Sequence, residues 1–426
     1  MKNSKFSLGY GKGEISFVMP EGNLQAILLP NPREEYTGPD GLSLSELDIV
    51  ALALDNPIGS SRLESVAGPE DTVVIVTSDI TRPVPSRKIL PQVIRRLLAG
   101  GVKGENITVV LALGSHRRHT PEEIDLLLGK EITETYRCLD SNQEDILKLG
   151  STTRNTPLDF FTPVVEADKR ILIGNIEYHY FAGYSGGMKA LMPGVSTRSA
   201  IQANHRLMTN PDAYAGRLHG NPVREDIDET YRYLPAHFLV NVILDEKKNI
   251  ISAFAGDVFA AHRQGCGYLD EIYKIEMDDP ADIVVVSPGG YPKDINLYQA
   301  QKALDNAKHA VKEGGTIILT AACTEGFGES VFEEWMKSAN SPEWLVREIE
   351  RNFVLGGHKA AAIGLVLEKA DIFLVSEFPE NTVRDLFMLP FRDPEEALRT
   401  AFEKHGHSAR VAIMPYGGAT LPVIRA

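Results

Sequence analysis

Residues 72–77 (TVVIVT), followed by residues 86–100 (SRKILPQVIRRLLAG), decide how this chain is read. The first stretch is a short run of β-branched residues with no polar alternation, the pattern of a strand buried on both faces. The second repeats apolar residues at three- and four-residue intervals and ends at Gly100-Gly101, the pattern of an amphipathic helix with a glycine stop. A buried strand followed by a helix is the repeating unit of a parallel α/β layer.

The same unit recurs along the chain. Residues 107–113 (ITVVLAL) predict a second strand. Thr120-Pro121-Glu122-Glu123 predicts a helix start, with proline at the first position and glutamate placed for a capping box. A strand is expected at 170–175, a helix from Asn221-Pro222 through Leu234, and a hairpin over 238–254. Strands at 282–287, 316–320, 371–376 and 410–414 then alternate with helices at 296–312, 329–350, 357–370 and 393–404. The expected fold is therefore α/β: two lobes with mostly parallel sheets flanked by helices, and an active site in the cleft between lobes. The polar, proline-containing DDPAD stretch at 278–282 suggests a boundary near 275. That gives an N-terminal domain of 1–275 and a C-terminal domain of 276–405, with 406–426 able to close the second sheet or return to the first domain.

Composition narrows the function classes. The chain has 426 residues, with 44 Lys and Arg against 58 Asp and Glu, a formal charge of −14. A nucleic-acid binder normally needs a basic face, so a net acidic chain disfavours a polyanion partner without excluding one. Its three cysteines are too few and too scattered for a disulfide framework or a cysteine-rich zinc site. The chain shows no apolar run of membrane-spanning length and no signal-peptide core, so the expectation is a soluble, cytoplasmic protein without membrane or nucleic-acid partners.

Four stretches carry more polar chemistry than a core needs, and all follow predicted strands, where open α/β sheets bind ligands. In Ser78-Asp79-Ile80-Thr81-Arg82-Pro83, a carboxylate and a guanidinium can orient a hydroxyl and grip a carboxylate, although a plain turn would use the same residues. In Gly114-Ser115-His116-Arg117-Arg118-His119, an imidazole stands between a strand and a capped helix, placed for acid–base work, although loop histidines are common. The densest stretch runs from His179 to Gly194 (HYFAGYSGGMKALMPG) and precedes a helix containing His205. Its Ser185-Gly186-Gly187 turn could let backbone amides approach a phosphate. It is not a P-loop, because Ala190 stands where the metal-binding hydroxyl would be. Finally, Tyr298 and Lys302 are four apart on a predicted helix, with Gln299 beside them. They could bind an anionic substrate or simply form a polar helix surface.

Together these motifs, with Pro-Tyr-Gly-Gly at 415–418, resemble the nickel-dependent lactate racemase family over nearly the whole chain. That resemblance implies a nickel-pincer nucleotide, a pyridinium mononucleotide whose sulfur and carbon atoms hold nickel. By position, Lys189 matches its covalent attachment point and His205 the histidine completing the nickel's coordination. His116 and His179 match the acid/base pair. Arg82, Gln299 and Lys302 match substrate-positioning residues, with Tyr298 beside them, and Asp79, Ser185, Gly186 and Gly187 lie with the cofactor. Cofactor-synthesis proteins are the implied maturation partners. The sequence departs from the family's lactate enzymes at Arg118-His119, where proline is expected. It departs again at Gly356-Gly357-His358-Lys359, which occupies the region of a tryptophan over the reacting centre.

The implied reaction is inversion at C2 of a 2-hydroxy acid, lactate or a relative. The hydrogen on C2, beside a hydroxyl and an ionised carboxylate, is a very poor acid. Its departure as hydride while a histidine takes the hydroxyl proton leaves a planar 2-keto acid, and return to either face gives either enantiomer. Two other readings compete: a zinc or iron hydrolase or lyase with His116, His179 and His205 as ligands, and a non-catalytic phosphate- or nucleotide-binding protein.

Overall fold

The structure is a computed structural model that describes residues 2–31, 43–82, 84–245 and 247–425; Pro83 of the first motif lies outside them. By contacts the chain divides into two compact units, Arg33–Asp270 and Met1–Pro32 together with Glu271–Ala426.

The Arg33–Asp270 unit is built on a six-stranded sheet. Its spatial order is Ile250–Gly256, Phe238–Leu244, Lys169–Asn175, Val73–Ser78, Ile107–Ala112, Arg137–Asp140. All neighbours are parallel except the hairpin of Phe238–Leu244 with Ile250–Gly256. The TVVIVT run forms a central strand, and its Val73–Thr77 are all buried, as an apolar run without alternation requires. Helices Glu46–Asp55 and Ser86–Ala99 cover one face, packing Val50, Leu54, Ile89, Val93 and Leu97 onto Ile75, Val109, Ile173 and Val240. The predicted capping box at Thr120 is present: the Thr120 hydroxyl accepts Glu123 N–H, and the Glu123 carboxylate accepts Thr120 N–H at 2.9 Å.

The other unit has its own parallel sheet, ordered Leu389–Phe391, Asp371–Val375, Val311–Thr320, Ala281–Val286, Val411–Met414, Leu24–Ile27. Its last strand departs from the expected domain division, because residues before 33 belong here. The backbone pairs Leu24 with Val411 and Ile27 with Ile413, so Leu24–Ile27 extends this sheet's edge. The hairpin of Asn3–Tyr10 and Gly13–Pro20 sinks Leu8, Phe17 and Met19 into the same core as Ile283 and Val285. Residues 406–426 stay with this unit: Val411–Met414 is interior to its sheet, and Leu421–Ile424 pairs with Lys274–Met277. The single helix expected over 329–350 is two, Ser330–Ser338 and Pro342–Arg351, because Ser341 caps a new helix that opens on proline.

Both sheets reverse direction of growth once. In the first, the chain moves from Val73–Ser78 outward through Ile107–Ala112 to Arg137–Asp140, then returns to the opposite side of Val73–Ser78 at Lys169–Asn175. The carboxyl ends of these two central strands, where the strand order reverses, are where doubly wound sheets place ligands. The first and third motifs leave those two strands, and the second leaves the neighbouring Ile107–Ala112.

Candidate active site

Asp79 follows the central strand and is buried, with its Oδ2 2.7 Å from Nδ1 of His116. The Thr81 hydroxyl also donates to Asp79, at 2.8 Å to Oδ1. Burial alone would raise the Asp79 carboxyl. The hydrogen bond and charge of His116, the Thr81 hydroxyl and the Arg82 charge outweigh it and hold the carboxyl below its ordinary range. With Nδ1–H engaged by a carboxylate, His116 is oriented with Nε2 as its proton-exchanging nitrogen. Arg82 N–H closes a turn on Asp79 O, so the turn reading also holds, while the guanidinium stays exposed.

The remaining residues of the second motif are structural. Arg117 forks onto Glu123 with both terminal nitrogens at 2.7 Å. The His119 side chain is buried, its Nδ1 2.7 Å from Asp140 and its Nε2 accepting Ile80 N–H at 3.1 Å. His119 thus ties the first motif's loop to the second's.

The third motif is organised around a ring that sequence reading passed over. Phe181 is 2% exposed, and three predicted site residues meet its faces and edges. His179 packs edge-on at 4.5 Å, His205 edge-on at 4.9 Å, and Lys189 Nζ stands 6.0 Å from the centroid. Desolvation, then the charges of Lys189, Arg82, His205 and Arg224, hold His179 well below the usual imidazole range. Desolvation, then Arg224 and Arg82, likewise hold Lys189 far below the ordinary amine range, against a smaller opposing pull from Glu177. Lys189 therefore gives up its proton more readily than an ordinary lysine, which favours its use as a nucleophile. The two histidines sit in opposite surroundings, a carboxylate facing His116 and cations facing His179.

The Ser185-Gly186-Gly187 turn departs from the phosphate cradle expected of it. Ser185 N–H goes to Glu177 O, its hydroxyl bridges Asn175 O and Glu177 N–H, and Gly187 N–H goes to Asn241 Oδ1 at 2.9 Å. His262, fully buried, donates to Ser185 O at 2.8 Å. With the Ser185 and Gly187 amides spent inside the protein, the turn is held in place ahead of Lys189. Gly186 must be glycine: its φ is +75°, and a Cβ would lie 2.5 Å from Asn241 Oδ1. Arg224 braces the preceding segment from beneath, donating to Ala182 O at 3.3 Å and to Tyr184 O. Asn241, His262 and Arg224 come from distant segments, and no local spacing could have linked them to Lys189.

In the other unit, Gln299 and Lys302 are exposed and Tyr298 half-buried on helix Leu297–Ala307, which Asn296 caps through Gln299 N–H. Lys359 Nζ lies 4.0 Å from the Tyr298 ring centroid and donates to Tyr298 O.

Residues 10–216 match the family model of the lactate racemase N-terminal domain, and residues 276–422 that of the lactate racemase C-terminal domain. The chain belongs to the lactate racemase family. As a member of that family it is an isomerase, a racemase, and acts on a small molecule. It is 34% identical over 424 residues to the lactate racemase of Thermoanaerobacterium thermosaccharolyticum, covering 97% of this chain and 98% of that one. To the lactate racemase of Lactiplantibacillus plantarum it is 34% identical over 384 residues, 88% of this chain and 90% of that one. Its fold superposes on the lactate racemase apoprotein structure from T. thermosaccharolyticum with a TM-score of 0.90 at 32% identity, covering 98% and 100% of the two chains. A Thermotoga maritima crystal structure shares the fold at a TM-score of 0.65 and 19% identity, over 90% and 99%.

Among the described residues of this lactate racemase family member, no three His, Cys, Asp or Glu side chains gather into a group able to hold a metal ion. The zinc or iron reading, with His116, His179 and His205 as joint ligands, finds no such group. No described helix is long and apolar enough to cross a membrane.

Proposed function

We propose that this racemase inverts C2 of a 2-hydroxy carboxylate, lactate or a close relative, with a nickel-pincer nucleotide attached at Lys189. The observation that carries the reading is the gathering of His179, His205 and the buried Lys189 amine around Phe181. The residues fit such a group. Burial and the charges of Arg224 and Arg82 ease the loss of the Lys189 proton, which suits the acylation that a covalent amide-type tether requires. A single imidazole from His205 suffices if the other donors come with the cofactor, which accords with the absence of a three-residue ligand group among the described residues.

When bound, the cofactor supplies a hydride acceptor and donor for C2. The protein's share is positioning and proton traffic. Asp79 keeps His116 with Nε2 free to take the substrate hydroxyl proton or give it back. His179, held neutral by burial and neighbouring cations, serves the same role for the opposite enantiomer. Inversion needs proton access for both configurations, which one fixed imidazole does not give. Arg82, Gln299 and Lys302, with Tyr298, are the proposed substrate-binding groups, guanidinium and ammonium being natural partners of the carboxylate. Asp79 is assigned to orient His116, and Ser185, Gly186 and Gly187 to hold the Lys189 loop. Maturation by cofactor-synthesis proteins and a cytoplasmic location belong to the same proposal.

The test is label retention. Matured protein is given substrate deuterated at C2 in ordinary water, and the product enantiomer is analysed by mass. Retention of most of the deuterium is expected. Washout at the rate of racemisation would mean that C2 loses a proton, and the hydride reading would be abandoned.

A further inference from the structure

His205 lies near the end of helix Arg198–Arg206 and is 7% exposed, with its Nδ1 3.2 Å from Oδ1 of the preceding Asn204. Asn204 is fully buried, and both hydrogens of its amide nitrogen are committed. Nδ2 donates to Asp226 Oδ2 at 2.8 Å and to Val223 O at 3.3 Å. An Asn amide has one acceptor oxygen and one donor nitrogen, so two acceptors on the nitrogen side fix which way it points. Flipping it would set Oδ1 against the Asp226 carboxylate and the Val223 carbonyl.

Asp226 is itself immobile. It is fully buried, and its Oδ1 and Oδ2 accept the hydroxyls of Thr152 at 2.5 Å and Thr156 at 2.6 Å. The Thr152 oxygen in turn accepts Thr156 N–H at 3.1 Å and Arg154 N–H at 3.3 Å, which leaves its hydrogen for Asp226. The direction of every bond is therefore set from the 152–156 turn to Asp226, to Asn204, and to His205. At its end Asn204 Oδ1 can only accept, so neutral His205 must carry its hydrogen on Nδ1 and its lone pair on Nε2.

We infer that Asn204, locked by Asp226, is the positioning residue that selects the His205 tautomer and offers Nε2 as the electron-pair donor to the metal. The inference rests on the proposed reading of His205 as a nickel ligand. Histidine ligands generally donate their second ring N–H to a fixed acceptor, and loss of that acceptor typically costs about 10–100-fold in metal affinity. Here the acceptor is a neutral amide rather than a carboxylate, with the carboxylate one bond further back.

The experiment uses the full chain labelled with [15N]histidine, at a pH where the ring is neutral, with the His205 signal assigned from His205→Ala. Wild type should show a protonated Nδ1 and an unprotonated Nε2. Asn204→Ala should lose that preference. Asn204→Leu, which keeps the side-chain volume and removes the acceptor, should lose it too and covers the case in which Asn204→Ala does not fold. In matured protein, both variants should lose nickel to a chelator about 10–100-fold faster than wild type. If His205→Ala keeps its nickel, the ligand assignment fails and the inference with it. If His205→Ala loses nickel but Asn204→Ala and Asn204→Leu keep the wild-type tautomer and retention, the ligand assignment stands and Asn204 has no positioning role.

Discussion

Asp79 Oδ2 and His116 Nδ1 lie 2.7 Å apart, joining two loops that leave neighbouring parallel strands 37 residues apart in sequence. This pairing makes a loop histidine an oriented acid–base group and stabilises the charge it acquires on taking a proton. His116→Ala is expected to lower kcat by about 10²–10⁴-fold, the usual share of a positioned acid or base, with nickel content unchanged. Unchanged kcat in matured protein would remove His116 from the reaction.

Asp79→Asn tests the same pair by its pH dependence. The folded carboxyl is held below its ordinary value, so its stabilising contribution is present above the unfolded value and fades as pH falls through the folded one. The variant should therefore be less stable than wild type at neutral pH, and the gap should close in acid. Denaturant midpoints measured across that range check the sign; a gap that widens in acid would mean the carboxyl is not depressed.

For Lys189 the expectation is reversed in sign. A lysine held below the ordinary amine value binds fewer protons folded than unfolded, so stability rises with pH between the two values. Unloaded Lys189→Met should be more stable than wild type at neutral pH, with the difference shrinking toward alkaline pH. The matured variant should also lack the covalent mass addition on the peptide containing residue 189. An adduct that persists would move the attachment elsewhere.

Arg224→Met should be among the costlier single substitutions. It strips donors from the Ala182 and Tyr184 carbonyls and leaves Asp228, 3.5 Å from Arg224 Nη1, short of one partner. Removing one side of such a buried charge typically costs about 3–5 kcal/mol, readable from denaturant unfolding. A loss below about 1 kcal/mol would mean that solvent or Arg263 compensates.

Lys302→Ala and Gln299→Ala examine the substrate role of helix Leu297–Ala307. A lost charge-assisted hydrogen bond costs about 1.5–3 kcal/mol, or roughly 10- to 100-fold in kcat/KM. Nickel content should stay at the wild-type level. Wild-type kinetics in both variants would leave that face as ordinary polar surface.

What the sequence by itself determined was local. Apolar runs without alternation marked the central strands, and Thr120-Pro121-Glu122-Glu123 marked a capped helix start, because strand burial and helix capping are written within a few neighbouring residues. The chemistry-bearing loops were legible for the same reason, since each is contiguous and follows a strand. Pairing partners were not. Nothing near Leu24–Ile27 says that it will extend a sheet whose adjacent strand begins at Val411, since partner choice depends on which edge remains open once the other strands have assembled. Likewise, sequence could name His116 and His119 together, but only the packed loops could give one to Asp79 and the other to Ile80 and Asp140. The clearest case is Phe181. As a lone aromatic it reads as core, and its role as the ring around which His179, His205 and Lys189 gather exists only because the loop folds back onto helix Arg198–Arg206. Tautomers, amide directions and buried charges are properties of three-dimensional surroundings, and only the tertiary structure decides them.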